Sequence, residues 1–162
     1  MKTFKFTLVA TGPLDKNSSY EDALFEAGCD DATVSFQKGV LILEFDRVEK
    51  NLSHAINSAV ANVVSAGCQV VRIEPDHLVS MSEIAERVGI TRAAVSLYAK
   101  GDRGDNFPAP AARVTSESPL WDWVDVSRWF VRAGKLSKSA LVDARLTREW
   151  NLKIRSGHRL RA

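Results

Sequence analysis

MSEIAERVGITRAAVSLYAK, Met81 to Lys100, reads as two short helices joined by a tight corner. Ser80 is placed to cap the first helix, and Glu83 three residues on completes a capping box. Ile84 and Val88 fall one turn apart on one face, with Ala85 beside them. Gly89 stands where that helix must stop and the chain turn back, a position that favours left-handed backbone. Ile90 plugs the corner, and Thr91 caps a second helix whose apolar face is Ala94, Val95 and Tyr98. Helices that cross over so short a turn need a small residue where they touch and a sealed wedge of core between them.

These residues resemble the helix-turn-helix of bacterial and phage DNA-binding proteins. Ile84, Val88, Ile90, Val95 and Tyr98 fill that pattern's apolar positions, Ala85 its small contact residue and Gly89 its turn. The resemblance implies that the exposed face of the second helix meets the major groove of a duplex. On that reading Arg92, Ala93, Ser96 and Leu97 read bases, Arg92 donating to guanine and Ser96 to a base edge or a phosphate. Thr91 and Lys100 fix the register on phosphates. The plain alternative is a helical hairpin buried in a larger core.

The 162 residues suit one domain or two small ones, and 45% hydrophobic with 26% charged residues is the balance of an ordinary globular chain. No apolar run approaches the ~20 residues of a membrane span. The opening MKTFKFTLVATG has Lys5 and Thr7 alternating with apolar residues, which reads as a strand and not as a leader, so the expected location is cytoplasmic and nucleoid-associated. Cys29 and Cys68 each follow Ala-Gly and lack metal-ligand spacing, so they read as small, half-buried structural thiols. The net charge of +2 hides an asymmetry: residues 1–79 carry 7 basic and 11 acidic side chains, residues 80–131 carry 6 and 7, and residues 132–162 carry 9 and 2. An acidic first domain would avoid phosphates, and a basic tail would seek them.

Before the corner, alternation predicts a strand over 3–10, broken by Gly12-Pro13, with Ser18-Ser19 capping a helix that runs from Tyr20 to Ala27. Val34 and Phe36 mark a second strand, Lys38-Gly39 a turn, and Leu41, Leu43 and Phe45 a third. Leu52, Ala55, Ile56, Ala59, Val60 and Val63 make a second amphipathic helix, and residues 69–73 a fourth strand. Ala-Gly-Cys recurs 39 residues apart, and the order βαββαβ is that of a ferredoxin-like sandwich. That fold carries no obligatory function. Cys29-Asp30-Asp31 reads as a solvated connection, and His54, His77 and His158 are isolated, so no catalytic, metal or cofactor site is expected. Glu74-Pro75-Asp76-His77 reads as a short junction between domains.

After the corner, the loop Gly101–Asn106 leads to Phe107-Pro108-Ala109-Pro110, and Ala112–Val114 and Leu120–Trp123 are predicted to pair as a β-hairpin about residues 115–119. Asp125 is predicted to cap a helix that returns Val126, Trp129 and Phe130 to the core. A helix-turn-helix followed by F-P-A-P, a wing and Trp121, Trp123, Asp125, Val126 and Trp129 resembles the MerR/excisionase-like winged domains over about residues 79–132. On that resemblance Arg103 in the loop and Arg113 on the wing are phosphate or minor-groove contacts, although ordinary surface arginines fit them nearly as well. The clustered tryptophans suit the core of a small domain; a stacking platform for single strands is the alternative. Ser137 is placed to cap a basic helix with Ala140, Leu141, Ala144, Trp150 and Ile154 as an uneven apolar stripe, and residues 156–162 are expected to fray.

The expected fold is α+β: a ferredoxin-like domain over 1–78, a winged helix-turn-helix over 79–132 and a basic helical tail over 133–162. The expected function is that of a transcriptional regulator of bacterial or phage origin, not an enzyme, bound to double-stranded DNA as a homodimer on half-sites about one helical turn apart. Two other readings stay open: an antitoxin-like autoregulator whose N-terminal domain binds a protein partner, and an excisionase-like architectural factor.

Overall fold

The computed structural model describes residues 1–12 and 20–161, with side chains described as far as Gly157. The expected break at Pro13 and the Ser18-Ser19 cap lie outside the described residues. The fold is mixed α+β, and the chain divides into two compact units, one of Met1–Pro75 with Trp150–Ala162 and the other of Asp76–Glu149.

In the first unit β1 (Lys2–Thr11), α1 (Tyr20–Glu26), β2 (Ala32–Gln37), β3 (Val40–Glu49), α2 (Leu52–Ser65) and β4 (Gln69–Glu74) follow in that order. The strands form one antiparallel sheet in the order β2-β3-β1-β4. Alternation decides which face is buried: Phe4, Phe6, Leu8 and Ala10 of β1 and Leu41, Leu43 and Phe45 of β3 are all buried. Phe6 lies directly opposite Phe45, and their rings stack with centroids 5.3 Å apart. Leu24 of α1 and Ala55, Ile56, Ala59 and Val63 of α2 supply the helical side of the core.

β3 continues its alternation to Arg47, which is buried, 7% exposed. Its Nε and Nη2 donate to the two carboxylate oxygens of Asp31 at 2.8 Å each, and Nη2 also donates to the Gly28 carbonyl at 2.8 Å. Its Nη1 donates to Ser58 Oγ at 3.0 Å and Asn62 Oδ1 at 2.9 Å. These acceptors come from the end of α1 and from α2, so both helices cover the face that Arg47 shares with Leu41, Leu43 and Phe45. Every N–H of the guanidinium has a partner, as a buried charge requires. The expectation of a solvated Cys29–Asp31 connection holds for exposed Asp30 and is corrected for Cys29, which is buried, and Asp31, which is drawn in by the fork-shaped match between guanidinium and carboxylate.

Cys29 and Cys68 are free and buried, more deeply than the expected half-burial. Burial pushes the Cys29 thiol up from 9.0 to about 11. The folded chain therefore holds that proton more tightly than the unfolded chain. The resulting stability is whole below pH 9 and is lost as pH rises through about 11. At pH 8 iodoacetamide should leave both thiols of the native protein unmodified while it labels the urea-unfolded chain, with a rate ratio at Cys29 of ~100 or more. Mass spectrometry of the quenched reaction measures it.

At Ile73 the sheet's β4 edge is met by a side chain. Asn151 Oδ1 accepts from the Ile73 N–H at 2.8 Å, and its Nδ2 donates to the Ile73 carbonyl at 3.0 Å, so at Ile73 one amide side chain makes the pair of bonds a neighbouring strand would make.

The second unit contains β5 (Leu78–Val79), α3 (Met81–Val88), α4 (Arg92–Lys100), β6 (Trp121–Asp122) and α5 (Trp123–Arg132); α6 (Lys138–Arg161) begins in this unit. Three expectations are corrected here. The hairpin between 112–114 and 120–123 is only an isolated bridge, Ala112 with Leu120, and Trp121–Asp122 pair antiparallel with Leu78–Val79 instead. Trp121 is 2% exposed in this position, cover that a solvent-borne ribbon could not give its indole. Asp122, not Asp125, caps α5, its carboxylate accepting from the Val124 N–H at 2.8 Å. The other Asp122 oxygen takes Arg148 Nη1 of α6 at 3.1 Å. α6 runs from Lys138 to Arg161, through the stretch from 156 that was expected to fray, the helix-favouring Leu152, Lys153 and Arg155 leading into it although Gly157 is a weak helix former.

Candidate nucleic-acid interface

The corner between α3 and α4 is built from local rules. Ser80 Oγ accepts from the Glu83 N–H at 3.2 Å and Glu83 Oε1 from the Ser80 N–H at 3.1 Å, a complete capping box. Gly89 closes α3 in the left-handed region, φ 79°, with its N–H on the Ala85 carbonyl. Thr91 Oγ1 accepts from the Ala94 N–H at 3.1 Å and opens α4. Ile84, Ala85, Val95 and Tyr98 are buried together with Val79, Trp121, Val126 and Phe130, and Val88 and Ile90 pack against that cluster.

Burying Val95 and Tyr98 turns the opposite side of α4 to solvent. Thr91, Arg92, Ala93 and Lys100 are exposed, and Ser96 and Leu97 are half-buried. The spacing of Arg92, Ser96 and Lys100 aligns them along one face. Thr91 keeps its hydroxyl hydrogen for an external acceptor, because its oxygen is used as the cap. Among the described residues Arg92, Lys100 and Arg113 are in no ion pair, whereas Arg128 is held by Asp125 and Arg148 by Asp122. Unpaired exposed cations are the groups that can neutralise phosphates without first breaking a contact.

Arg103 is exposed but not loose. Its guanidinium carbon lies 5.9 Å from the Tyr98 ring centroid, and its backbone N–H reaches the Leu97 carbonyl at 3.3 Å. A guanidinium laid on a ring keeps its in-plane donors for other acceptors. The loop carrying it is fixed by Trp129, whose Nε1 donates to the Asp105 carbonyl at 2.9 Å. Gly104, at φ 69°, lies under the same indole, and a Cβ there would come within 2.9 Å of the ring. Neither anchor is recognisable from composition, although two glycines three apart, Gly101 and Gly104, mark a loop that needs unusual backbone. Arg113, at the expected wing position, is exposed with φ 53°, and its carbonyl accepts from Ser116 N–H and Oγ.

The aromatic residues face one another. Tyr98 meets Trp129 and Phe130 edge-on at 5.0 and 5.7 Å, and Phe107 packs on Trp129 at 5.2 Å. Trp121 Nε1 donates to the Pro108 carbonyl at 3.0 Å, which turns its polar edge inward. Rings engaged in this way form a core, and they do not offer a row of free faces on which single-stranded bases could stack. Arg87 of α3, which the sequence reading passed over, lies over the Trp123 ring at 5.1 Å, and desolvation lowers its pKa from the usual value. It is half-buried and belongs to the packing rather than to the exposed face.

No group of three or more His, Cys, Asp or Glu among the described residues is placed to hold a metal ion. No described helix is long and apolar enough to cross a membrane. Comparison with protein-family models, curated proteins and solved structures finds no match for this chain.

Proposed function

We propose that this chain is a sequence-specific double-stranded DNA-binding transcriptional regulator of bacterial or phage origin. In this reading residues 79–132 are a MerR/excisionase-like winged helix-turn-helix and residues 1–78 a ferredoxin-like sandwich. The observation that carries it is α4 itself: a helix seated on a tight capped corner by Val95 and Tyr98, with unpaired Arg92 and Lys100 on its outer side. Arg92, Ala93, Ser96 and Leu97 read base edges in the major groove. Thr91, Lys100, Arg103 and Arg113 hold phosphates, and the short loop closed by Ala112 and Leu120 serves as a reduced wing. The strand order β2-β3-β1-β4, with both helices on the Arg47 face, supports the reading of the first unit.

The test is selection from a pool of random-sequence duplexes by the full-length protein. A shared motif should emerge over successive rounds, and the Arg92→Ala protein should fail to enrich it. Retention of single strands in preference to duplexes, or of no nucleic acid at all, would overturn the reading. Retention of duplexes without any shared motif would replace it with an architectural role served by the basic half of α6.

A further inference from the structure

The two outer edges of the four-stranded sheet differ. β4's edge is capped at Ile73 by Asn151, whereas β2 pairs with β3 on one side and, among the described residues, with no strand on the other. Exposed edges are normally guarded by charge, proline or a bulge. The strand Ala32–Gln37, ATVSFQ, has none of these, although 26% of the chain's residues are charged.

That strand is complementary to itself. Two copies related by a two-fold axis perpendicular to the sheet pair antiparallel, with each residue opposite one on the same face. Centring the axis on Val34 sets Val34 against Val34 and Ala32 against Phe36 on the helix-covered face. These are the residues opposite Leu43, Phe45 and Leu41 in β3. Phe36, 47% exposed, thereby gains a small neighbour that leaves room for its ring. On the open face Thr33 meets Ser35; Ser35 Oγ already accepts from Gln37 Nε2, so its hydrogen is free for the threonine. Just beyond the strand ends, exposed Asp30 of one copy comes level with exposed Lys38 of the other. Asp31 is committed to Arg47, which leaves Asp30 as the available carboxylate. A shift of the axis to Ser35 would oppose Lys38 to Ala32, and a shift to Thr33 would oppose Asp30 to Phe36. Only the Val34 centre matches size, polarity and charge together.

We propose that the β2 edge is a homodimer interface, in which a second copy of this chain extends the sheet antiparallel across Val34. The proposal does not depend on DNA binding.

Sedimentation velocity on the full chain tests it. Wild type should sediment as a dimer at about 10 µM, an ordinary affinity for a specific interface, and Phe36→Lys should weaken association by ~100-fold or more with unchanged far-UV circular dichroism. Lys38→Glu should weaken it by ~10-fold, because two like-charge pairs replace two opposite ones, and Asp30→Lys with Lys38→Glu should restore it. Wild type that stays monomeric at about 100 µM overturns the proposal. So does a dimer that Phe36→Lys leaves intact. If Phe36→Lys does not fold, the charge pair decides: weakening without restoration overturns the pairing across Val34.

Discussion

Replacing Arg47 with alanine should lower the unfolding free energy by about 3 kcal/mol, as for other buried charge pairs broken from one side. The loss comes from what stays behind. Asp31, whose side chain is 29% exposed, would keep its charge without the guanidinium, and the Gly28 carbonyl and Asn62 Oδ1 would lose their donor. Partial exposure of Asp31 puts the figure at the low end of the range for such pairs, since water screens the abandoned carboxylate. Arg47→Lys should recover less than half, because an ammonium cannot make the paired contact with both Asp31 oxygens while reaching Ser58 and Asn62. Urea denaturation of Arg47→Ala, Asp31→Asn and the double variant gives the coupling between them, expected at about 1–3 kcal/mol for a directly bonded pair. Additive losses would mean that Arg47 acts through Gly28, Ser58, Asn62 and packing, and not through Asp31.

Phe130→Ala should cost about 3–5 kcal/mol in the second unit, the range for deleting a buried phenyl ring. Phe130 is wholly buried, and its ring meets Tyr98 of α4, Phe107 of the following segment and Trp129 of its own helix. The cavity would therefore lie directly behind α4. Near-UV circular dichroism should lose much of its aromatic signal, and any duplex binding should fall with it, because Tyr98 seats the helix that carries Arg92. Phe130→Leu, which keeps most of the volume, should cost less than about 1.5 kcal/mol and preserve binding. Equal loss of binding in both variants would mean that the ring, and not the packing of α4, is what matters.

The parts legible in the sequence are those set by neighbours in the chain. The capping box of Ser80 and Glu83, the left-handed Gly89 and the Thr91 cap are each decided within a few residues, so the α3–α4 corner could be read without knowing what it packs on. The βαββαβ order was legible for the same reason, since alternation in Phe4–Leu8 and Leu41–Phe45 is local. What was missed depends on distant partners. Leu78–Val79 is too short to announce itself as a strand and becomes one only beside Trp121–Asp122. Asp122 and Asp125 are equivalent as candidate caps until Trp121 is known to be held in β6, which starts α5 three residues early. Arg47 continues the alternation of β3, but nothing local marks a charged residue for burial; only the converging acceptors of Asp31, Ser58 and Asn62 explain it. Asn151 is likewise an ordinary helical residue until Ile73 lies beside it.

The exposed face of α4 is legible in another sense: its residues are exposed because their neighbours are buried, and that follows from helical periodicity. Which bases it would read under the proposed function does not follow from the same argument, because recognition depends on the angle at which the helix meets a groove and on what else holds the duplex.

The most direct measurement is fluorescence anisotropy of the full-length protein with a selected duplex and with a base-permuted duplex of equal length, for wild type and Arg92→Ala. Wild type should prefer the selected duplex, and Arg92→Ala should lose ~1–3 kcal/mol of binding and most of that preference, while its weaker binding to the permuted duplex changes little. An Arg92→Ala protein that keeps the full preference, or a wild type that binds both duplexes equally, would contradict base reading by α4.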